Sequence, residues 1–492
     1  MGRFGTGQGD RVTPWQKLRD AILLLSLTAA ALLVHGYHFG VEDMAVYLPA
    51  IKKILDPALY PYDANFFLLY IRWTQFHSAV AWSVHALHLP LNWAALMWHV
   101  LGIFLVLLGC LRLARCCFPE RTAQWAGVTL VAVLLTLPVS GTALFLVDQH
   151  LHPRTLATAF LLFALVAVLD RRPIALLWIF LAGLCHPTMD LYGVFHLAVQ
   201  VWAIPAARSP AILASPILLS VPANPIWKEV MSHRDFPYPL RWRWYEWLGV
   251  AGPIALLLYF ARLGRRDRMP LLGHVSQRLA VSTTLGVLGA VVVTTVPSIA
   301  TLTRLEPMRV LHFTYMIFVL FAGSLLGRYI LRDRPWRWLM LFLPLSLAMF
   351  YAQRREFPAS PHIEWPGRAA GNPWLQSFEW VRQNTPRGAL FALDPLYLQQ
   401  PGEDYHGFRG LAERSMLADT VKDPSVVEVF PDLAYQWKLE VSGEENWKSF
   451  QAADFQRLKK KYGVSWVILE QPGVPGLSCP YANAAVRVCR LE

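Results

Sequence analysis

The sequence predicts an α-helical polytopic membrane protein of about eleven transmembrane helices with a C-terminal extracytoplasmic domain of α/β or α+β class. Three observations carry this. Of 492 residues, 55% are hydrophobic and only 16% charged, and the apolar residues fall into repeated runs approaching membrane-spanning length. Lys and Arg gather in alternate connections between those runs. From about residue 353 the composition turns mixed and polar and stays so to the end.

The expected spans, in order, are 20–36, 91–113, 122–138, 155–169, 174–184, 191–204, 211–221, 244–261, 279–296, 310–326 and 338–351. Several fall short of the roughly 20 residues of a full crossing, so the count is good to one or two. The first run has no small-residue cleavage site and many spans follow it, so we read it as a retained anchor.

Between this anchor and residue 90 lies a long, structured outer loop. It opens with HGYHFGVEDMAVYLPAIKKILDPALYPYD, where Glu42 and Asp43 precede a segment with apolar positions at helical spacing. Its second half, NFFLLYIRWTQFHSAVAWSVHALHL, reads as an interfacial or partly re-entrant helix. As a full span it would instead reverse every later assignment.

The basic clusters are Arg3, Arg11, Lys17 and Arg19; Arg112, Arg115 and Arg121; Arg171 and Arg172; Arg262, Arg265, Arg266 and Arg268; and Arg328, Arg332, Arg334 and Arg337. The positive-inside rule puts them in the cytoplasm. With an odd number of spans, the loop at 37–90 and the carboxyl terminus then face outward. The net charge of +12 is a topology signal on this reading, and nucleic acid is not an expected partner. Without a P-loop, the chain does not read as an ATP-driven pump.

We divide the chain into a transmembrane domain, 1–352, and a soluble extracytoplasmic domain, 353–492. In the second, NPWLQSFEWVRQNTP predicts a helix with an Asn cap and a Pro stop, and DFQRLKKKYG a helix ending at glycine. GALFALDP, SWVILEQP and AAVRVCRL predict strands. Cys479 and Cys489 flank PYANAAVRV at a spacing that suits a hairpin disulfide in an oxidising compartment, whereas Cys110, Cys116, Cys117 and Cys185 lie in or beside apolar helices as ordinary buried thiols. No cysteine spacing suits zinc.

On this topology polar groups meet at the outer ends of different helices: Glu42 and Asp43; Asp148, His150, His152 and Arg154 in VDQHLHPR; His186 and Asp190 in CHPTMD; Lys228, His233, Arg234 and Asp235; and Arg304, Glu306, Arg309 and His312 in TRLEPMRVLH. Carboxylates, imidazoles and guanidiniums on one face could take a proton from a hydroxyl, hold a divalent cation and bind phosphate oxygens. The plainer reading of each is a helix cap or an interfacial polar group, and for Glu42 and Asp43 a capping pair for the following helix.

GVEDMAVYLPAIKKILDPALYPYD, HPRTLATAFLLFALVAVLDRRPIALLWIFLAGLCHP and the tail pattern WVRQNTPRGALF … FRGLAERSMLADTVK … LKKKYGVSWVIL together resemble the C-type (GT-C) superfamily of polytopic membrane glycosyltransferases, nearest to uncharacterised bacterial members. The resemblance implies transfer of a sugar from a polyprenyl-phosphate carrier to an envelope acceptor, with inversion, on the outer face of a bacterial inner membrane. It implies that Asp43 first and Glu42 second act as base or metal ligand, and that Arg154, Arg304, Arg309 and His152 hold the donor phosphate. Asp148, His186, Asp190, His233 and Arg234 are further outer-face candidates. Arg409, Arg414, Asp419 and Lys422 are candidates for acceptor or interdomain contact. The expected partners are the bilayer and the lipid-linked donor; a divalent cation, Mg or Mn, is the one cofactor allowed. The chain shows no convincing WWDYG-like motif and no clear second acidic pair of that family's kind. The rival readings are a transporter or flippase for a lipid-linked or polar solute, which would bind near mid-membrane, and a non-catalytic envelope assembly protein.

Overall fold

The computed structural model describes residues 13–201, 224–232 and 234–491. The end of the expected span 191–204, all of 211–221 and the candidate His233 lie outside the described residues. Within them the chain is mostly helical, with one sheet near the carboxyl terminus.

The first part holds α1 (Pro14–His35), α2 (Met44–Leu55), α3 (Asn65–Ile71), α4 (Phe76–Leu87), α5 (Leu91–Cys117), α6 (Arg121–Val133), α7 (Pro153–Leu169), α8 (Ala175–Cys185) and α9 (Pro187–Val201). It continues with α10 (Pro225–Ser232), α11 (Trp244–Arg266), α12 (Pro270–Thr295), α13 (Val310–Leu326) and α14 (Pro335–Glu356). Among the described residues, five stretches are long and apolar enough to cross a membrane: Pro14–His35, Leu91–Cys117, Trp244–Arg266, Pro270–Thr295 and Pro307–Leu331. Other expected spans fold as shorter helices, such as the 17 residues of α7 and the 11 of α8. The stretch 65–87 forms two helices of 7 and 12 residues, too short to cross.

Local chemistry sets several helix starts. Thr13 and Gln16 close a capping box ahead of Pro14. Proline also opens α7 behind His152, whose ring caps the Arg154 amide. Between α6 and α7 a two-residue ladder, β1 (Pro138–Val139) with β2 (Leu144–Phe145), turns the chain at the helix ends.

Lipid is as apolar as leucine, so close packing rather than transfer out of water holds such helices together. At the α6–α13 crossing a Cβ on Gly127 would lie 2.6 Å from the Leu320 carbonyl, and one on Gly323 would lie 2.9 Å from that of Ala126. Those two glycines allow the backbones to meet. Hydrogen bonds between buried polar groups add to the packing: His196 to Ser282 at 2.7 Å and Thr283 to Thr314 at 2.8 Å. At the helix ends bearing the basic clusters, Asp20 accepts from both Arg115 and Arg121, and Glu120 from Arg328. The sequence reading had not singled out Asp20. Its single carboxylate bridges two of the arginines that the charge pattern places together.

The polar region adds α15 (Pro373–Asn384), β3 (Leu390–Ala392), α16 (Phe408–Ala412), β4 (Ser415–Met416), α17 (Asp423–Val429), α18 (Ala434–Gly443), α19 (Ala452–Tyr462), β5 (Trp466–Glu470), β6 (Ser478–Ala482) and β7 (Val486–Arg490). The sheet order is β4-β3-β5-β7-β6, with the first three strands parallel and the last two pairings antiparallel. Helices α15 and α19 cover the sheet through Phe378 and Val381 on one side and Phe455 and Leu458 on the other, all fully buried. Cys479 on β6 and Cys489 on β7 form a disulfide.

This region is seated on the first loop by its backbone. The Glu364 amide donates to the Tyr37 carbonyl at 2.8 Å, the Glu42 amide to Tyr405 at 2.9 Å, and the Gly407 amide to Gly40 at 2.8 Å. A Cβ on Gly407 would lie 2.5 Å from that of Ala45, so only glycine lets the two segments approach this far. Arg409 completes the seat: buried, it donates from Nε to Asp63 Oδ2 at 2.5 Å and from both terminal nitrogens to Asp423 at 2.9 Å. Asp63 belongs to the first loop, so Arg409 ties that loop to the C-terminal region. Arg414 hydrogen-bonds to Thr385 and the Arg382 carbonyl, within the C-terminal region.

Candidate active site

A cavity of about 730 Å³ opens where the helix ends, the segment around α10 and the C-terminal region meet. Its lining includes Glu42, Asp43, Tyr47, Asp148, His150, Arg154, Arg234, Asp235, Glu306, Arg309 and Lys422. Residues widely separated in sequence thus share one space.

Asp43 stands at the amino-terminal boundary of α2, yet its side chain makes no capping hydrogen bond. The carboxylate is turned elsewhere: Oδ1 accepts from Lys422 Nζ at 3.0 Å, and Oδ2 lies 3.1 Å from His152 Nε2. His152 Nδ1 accepts the Arg154 amide proton at 2.9 Å. The neutral ring must therefore carry its proton on Nε2 and donate it to Asp43. Tyr47 meets His152 edge-on, ring centroids 5.1 Å apart, and fixes the ring plane. Although protein surrounds it, the Asp43 side chain keeps 37% of its surface accessible, on the cavity side. Burial alone would raise its pKa, but the Lys422 charge, the His152 hydrogen bond and the Arg154 charge outweigh burial and hold it well below the usual carboxylate range.

Glu42 adopts φ +53°, a strained value for a non-glycine residue. The hydrogen bond from its amide to the Tyr405 carbonyl and its Oε2 contact to Lys422 hold it there. The two carboxylates thus converge on one ammonium group.

Arg154, on the first turn of α7, donates from Nη2 to both oxygens of Asp148 at 2.7 and 2.8 Å. Its Nε and Nη1 are buried and have no hydrogen-bond partner. Burial would raise Asp148, but Arg154 outweighs it and the carboxyl sits at about 2. His150, also on the wall, has both ring nitrogens buried without a partner. Burial lowers it to about 3, so it is neutral at physiological pH. Arg309 pairs with Glu306 and lies 3.3 Å from His186 Nε2. His186 stacks on His152, centroids 5.9 Å apart. Arg234 pairs with the buried Glu428 at 3.0 Å.

Arg304 and Asp190 are described but do not line this cavity. Asp419 serves as a local cap, accepting the amides of Val421 and Lys422 at 2.8 and 2.5 Å. Sequence reasoning missed Asp63, Glu364 and His406. Their signal lies in pairings across more than 300 residues, or across a linker with no recognisable motif.

The expected divalent cation does not fit the donor set. The point between Glu42 and Asp43 is taken by Lys422 Nζ, His152 presents a proton rather than a lone pair, and Asp148 is engaged by Arg154. Among the described residues no group of three or more His, Cys, Asp or Glu could hold a metal ion.

No protein-family model matches the chain, and no curated protein does either. Among solved structures it is similar to the Archaeoglobus fulgidus oligosaccharyltransferase in its apo form, at 11% identity and TM-score 0.44, over 94% of this chain and 70% of that one. It is also similar to the archaeal oligosaccharyltransferase AglB from Archaeoglobus fulgidus bound to an inhibitory peptide and a dolichol-phosphate, at 9% identity and TM-score 0.42, over 93% and 70%. A third match, the Archaeoglobus fulgidus oligosaccharyltransferase with Zn and sulfate, has 11% identity and TM-score 0.42 over 91% and 68%. The likeness is distant.

Proposed function

We propose that the chain is a membrane glycosyltransferase that moves a sugar from a polyprenyl-phosphate carrier to a hydroxyl-bearing envelope acceptor, with inversion at the anomeric carbon. One observation carries the reading: Arg154, with two buried donor nitrogens lacking partners, shares a cavity with the accessible carboxylate of Asp43. Unpaired buried guanidinium donors are costly unless an anion completes them. A phosphate supplies that anion.

The acceptor oxygen attacks the anomeric carbon as the bond from that carbon to the carrier's phosphate oxygen breaks. The electron pair leaves with the phosphate, toward Arg154 and Arg309. The hydroxyl proton passes to Asp43. Held ionised by Lys422 and His152, Asp43 is a weak base, so proton transfer comes late, once the forming bond has made the hydroxyl acidic. Glu42 is the second candidate base. The lipid tail would lie among helices on the membrane side of the cavity. The sidedness follows the positive-inside reading: the cavity outside, the Asp20 cluster in the cytoplasm.

A transporter reading would call for a charged site near mid-membrane. Here the charged groups of the cavity sit at helix ends, and the interior bonds His196–Ser282 and Thr283–Thr314 join uncharged side chains between helices. The test is profiling of lipid-linked saccharides in a deletion strain complemented with wild type or Asp43→Asn. Accumulation of an unconsumed lipid-linked sugar with both the deletion and Asp43→Asn supports the reading. Profiles indistinguishable from wild type in both would refute it.

A further inference from the structure

We infer that Lys422 is a built-in counter-cation of the Glu42–Asp43 pair, standing where a divalent metal would otherwise bridge the two carboxylates, so that the site works without a resident divalent ion. Its catalytic meaning rests on the function proposed above; the exclusion of the ion does not.

Two adjacent carboxylates open to a cavity are a natural locus for a hard cation. Lys422 Nζ occupies that locus, contacting Glu42 Oε2 and Asp43 Oδ1, with only 13% of the Lys422 side chain exposed. The ammonium is held from a rigid support. Asp419 accepts the amides of Val421, Lys422 and Asp423 at 2.8, 2.5 and 3.2 Å, and Asp423 is gripped in turn by Arg409. The side chains that could complete a metal shell are committed elsewhere: His152 donates to Asp43, and Asp148 is neutralised by Arg154.

An ammonium differs from a divalent ion in ways that matter. It carries one charge against two carboxylates, so the pair keeps a net negative charge and remains a proton acceptor. It has three donors, of which two are spent on Glu42 and Asp43, leaving one for an acceptor or phosphate oxygen at the cavity wall. Because the C-terminal region supplies it, the pair is complete only when that region is seated on the first loop.

The test uses the full chain, purified in detergent, washed with EDTA and titrated with MnCl2 while free Mn2+ is followed by electron paramagnetic resonance. Wild type should remove no more Mn2+ than Asp43→Asn does. Lys422→Ser should acquire a stoichiometric Mn2+ site that is lost again in Lys422→Ser/Asp43→Asn, while Lys422→Arg stays blind to Mn2+. A stoichiometric site in wild type that Asp43→Asn abolishes would overturn the inference. A folded Lys422→Ser that gains no Mn2+ would overturn it too, by showing that the locus holds no cation. If Lys422→Ser does not fold, the comparison of wild type with Asp43→Asn decides alone. Sugar transfer is measured in parallel with and without EDTA: absence of any transfer would count against the proposed function and leave the Mn2+ result standing.

Discussion

Replacing Arg409 with Met tests the seat that brings Lys422 to the carboxylates. Arg409 is 5% exposed and lies among three carboxylates: Asp63 at 2.5 Å, Asp423 at 2.9 Å and Asp419 at 3.9 Å. Methionine fills much of the same volume and removes the charge, so the loss is electrostatic rather than a cavity. Breaking a buried ion pair from one side costs about 3–5 kcal/mol. For a cooperative unit of 150–250 residues that corresponds to a drop of roughly 6–20 °C in melting temperature. A second signature follows from Asp423, whose carboxyl burial already pushes up even beside Arg409. Without Arg409 it rises further, and the folded state then binds a proton that the unfolded state does not. By linkage the variant should regain stability as pH falls from 8 to 6. The assay is tryptophan-fluorescence melting in detergent at both pH values, with limited proteolysis to detect release of the C-terminal region. A melting temperature within about 2 °C of wild type, at most about 1 kcal/mol on that scale, would show that Arg409 does not hold this seat.

Other outcomes follow from the same contacts. Glu364 accepts from His38 at 3.1 Å, His406 at 3.0 Å and the Phe39 amide at 2.9 Å; burial would raise it, but His406 and His38 outweigh burial and hold it at about 2. Its contribution, about 3 kcal/mol at 1.36 per pKa unit, is present above pH 4.5 and lost as pH falls toward 2. His406 also faces the Glu403 carbonyl at 2.8 Å; burial would lower its pKa, but Glu364 raises it, so its share is present below pH 6.5 and lost as pH rises through the folded value. Glu364→Gln should therefore flatten the melting-temperature profile on both flanks of the interval between 4.5 and 6.5; an unchanged profile would contradict the assignment. Gly407→Ala should cost about 1–3 kcal/mol by overpacking against Ala45, and Ala45→Gly in the same chain should recover part of it in the same melting assay. Thiol labelling of the denatured chain should count two more cysteines after reduction, lost in Cys479→Ser/Cys489→Ser; equal counts would contradict the disulfide.

What the sequence displays is local, and what it hides is pairing at long range. The strand at 466–470 and the helix at 373–384 announce themselves through an apolar run, an Asn cap and a proline. Glu42 and Asp43 stand out because two acids beside a membrane span need a partner. The partner itself, Lys422, sits 379 residues away from Asp43, and no periodicity links the two. Asp63 looks like a loop aspartate until Arg409 reaches it. The capping reading of Asp43 was reasonable on helix electrostatics, yet His152 and Lys422 are stronger partners than the α2 amides. Gly407 and Gly127 show the same limit: each is an unremarked glycine in sequence and a point of backbone contact in the fold.

In the proposed reaction the carboxylate pair takes the acceptor proton while arginines receive the phosphate. Its most direct test is transfer of a radiolabelled sugar from the membrane lipid-linked pool, in membranes carrying equal amounts of wild type, Asp43→Asn, Glu42→Gln or the double variant. Loss of a positioned base should slow transfer by about 10²–10⁴-fold in Asp43→Asn, with a smaller loss in Glu42→Gln. Wild-type transfer by the double variant would show that neither carboxylate takes the acceptor proton.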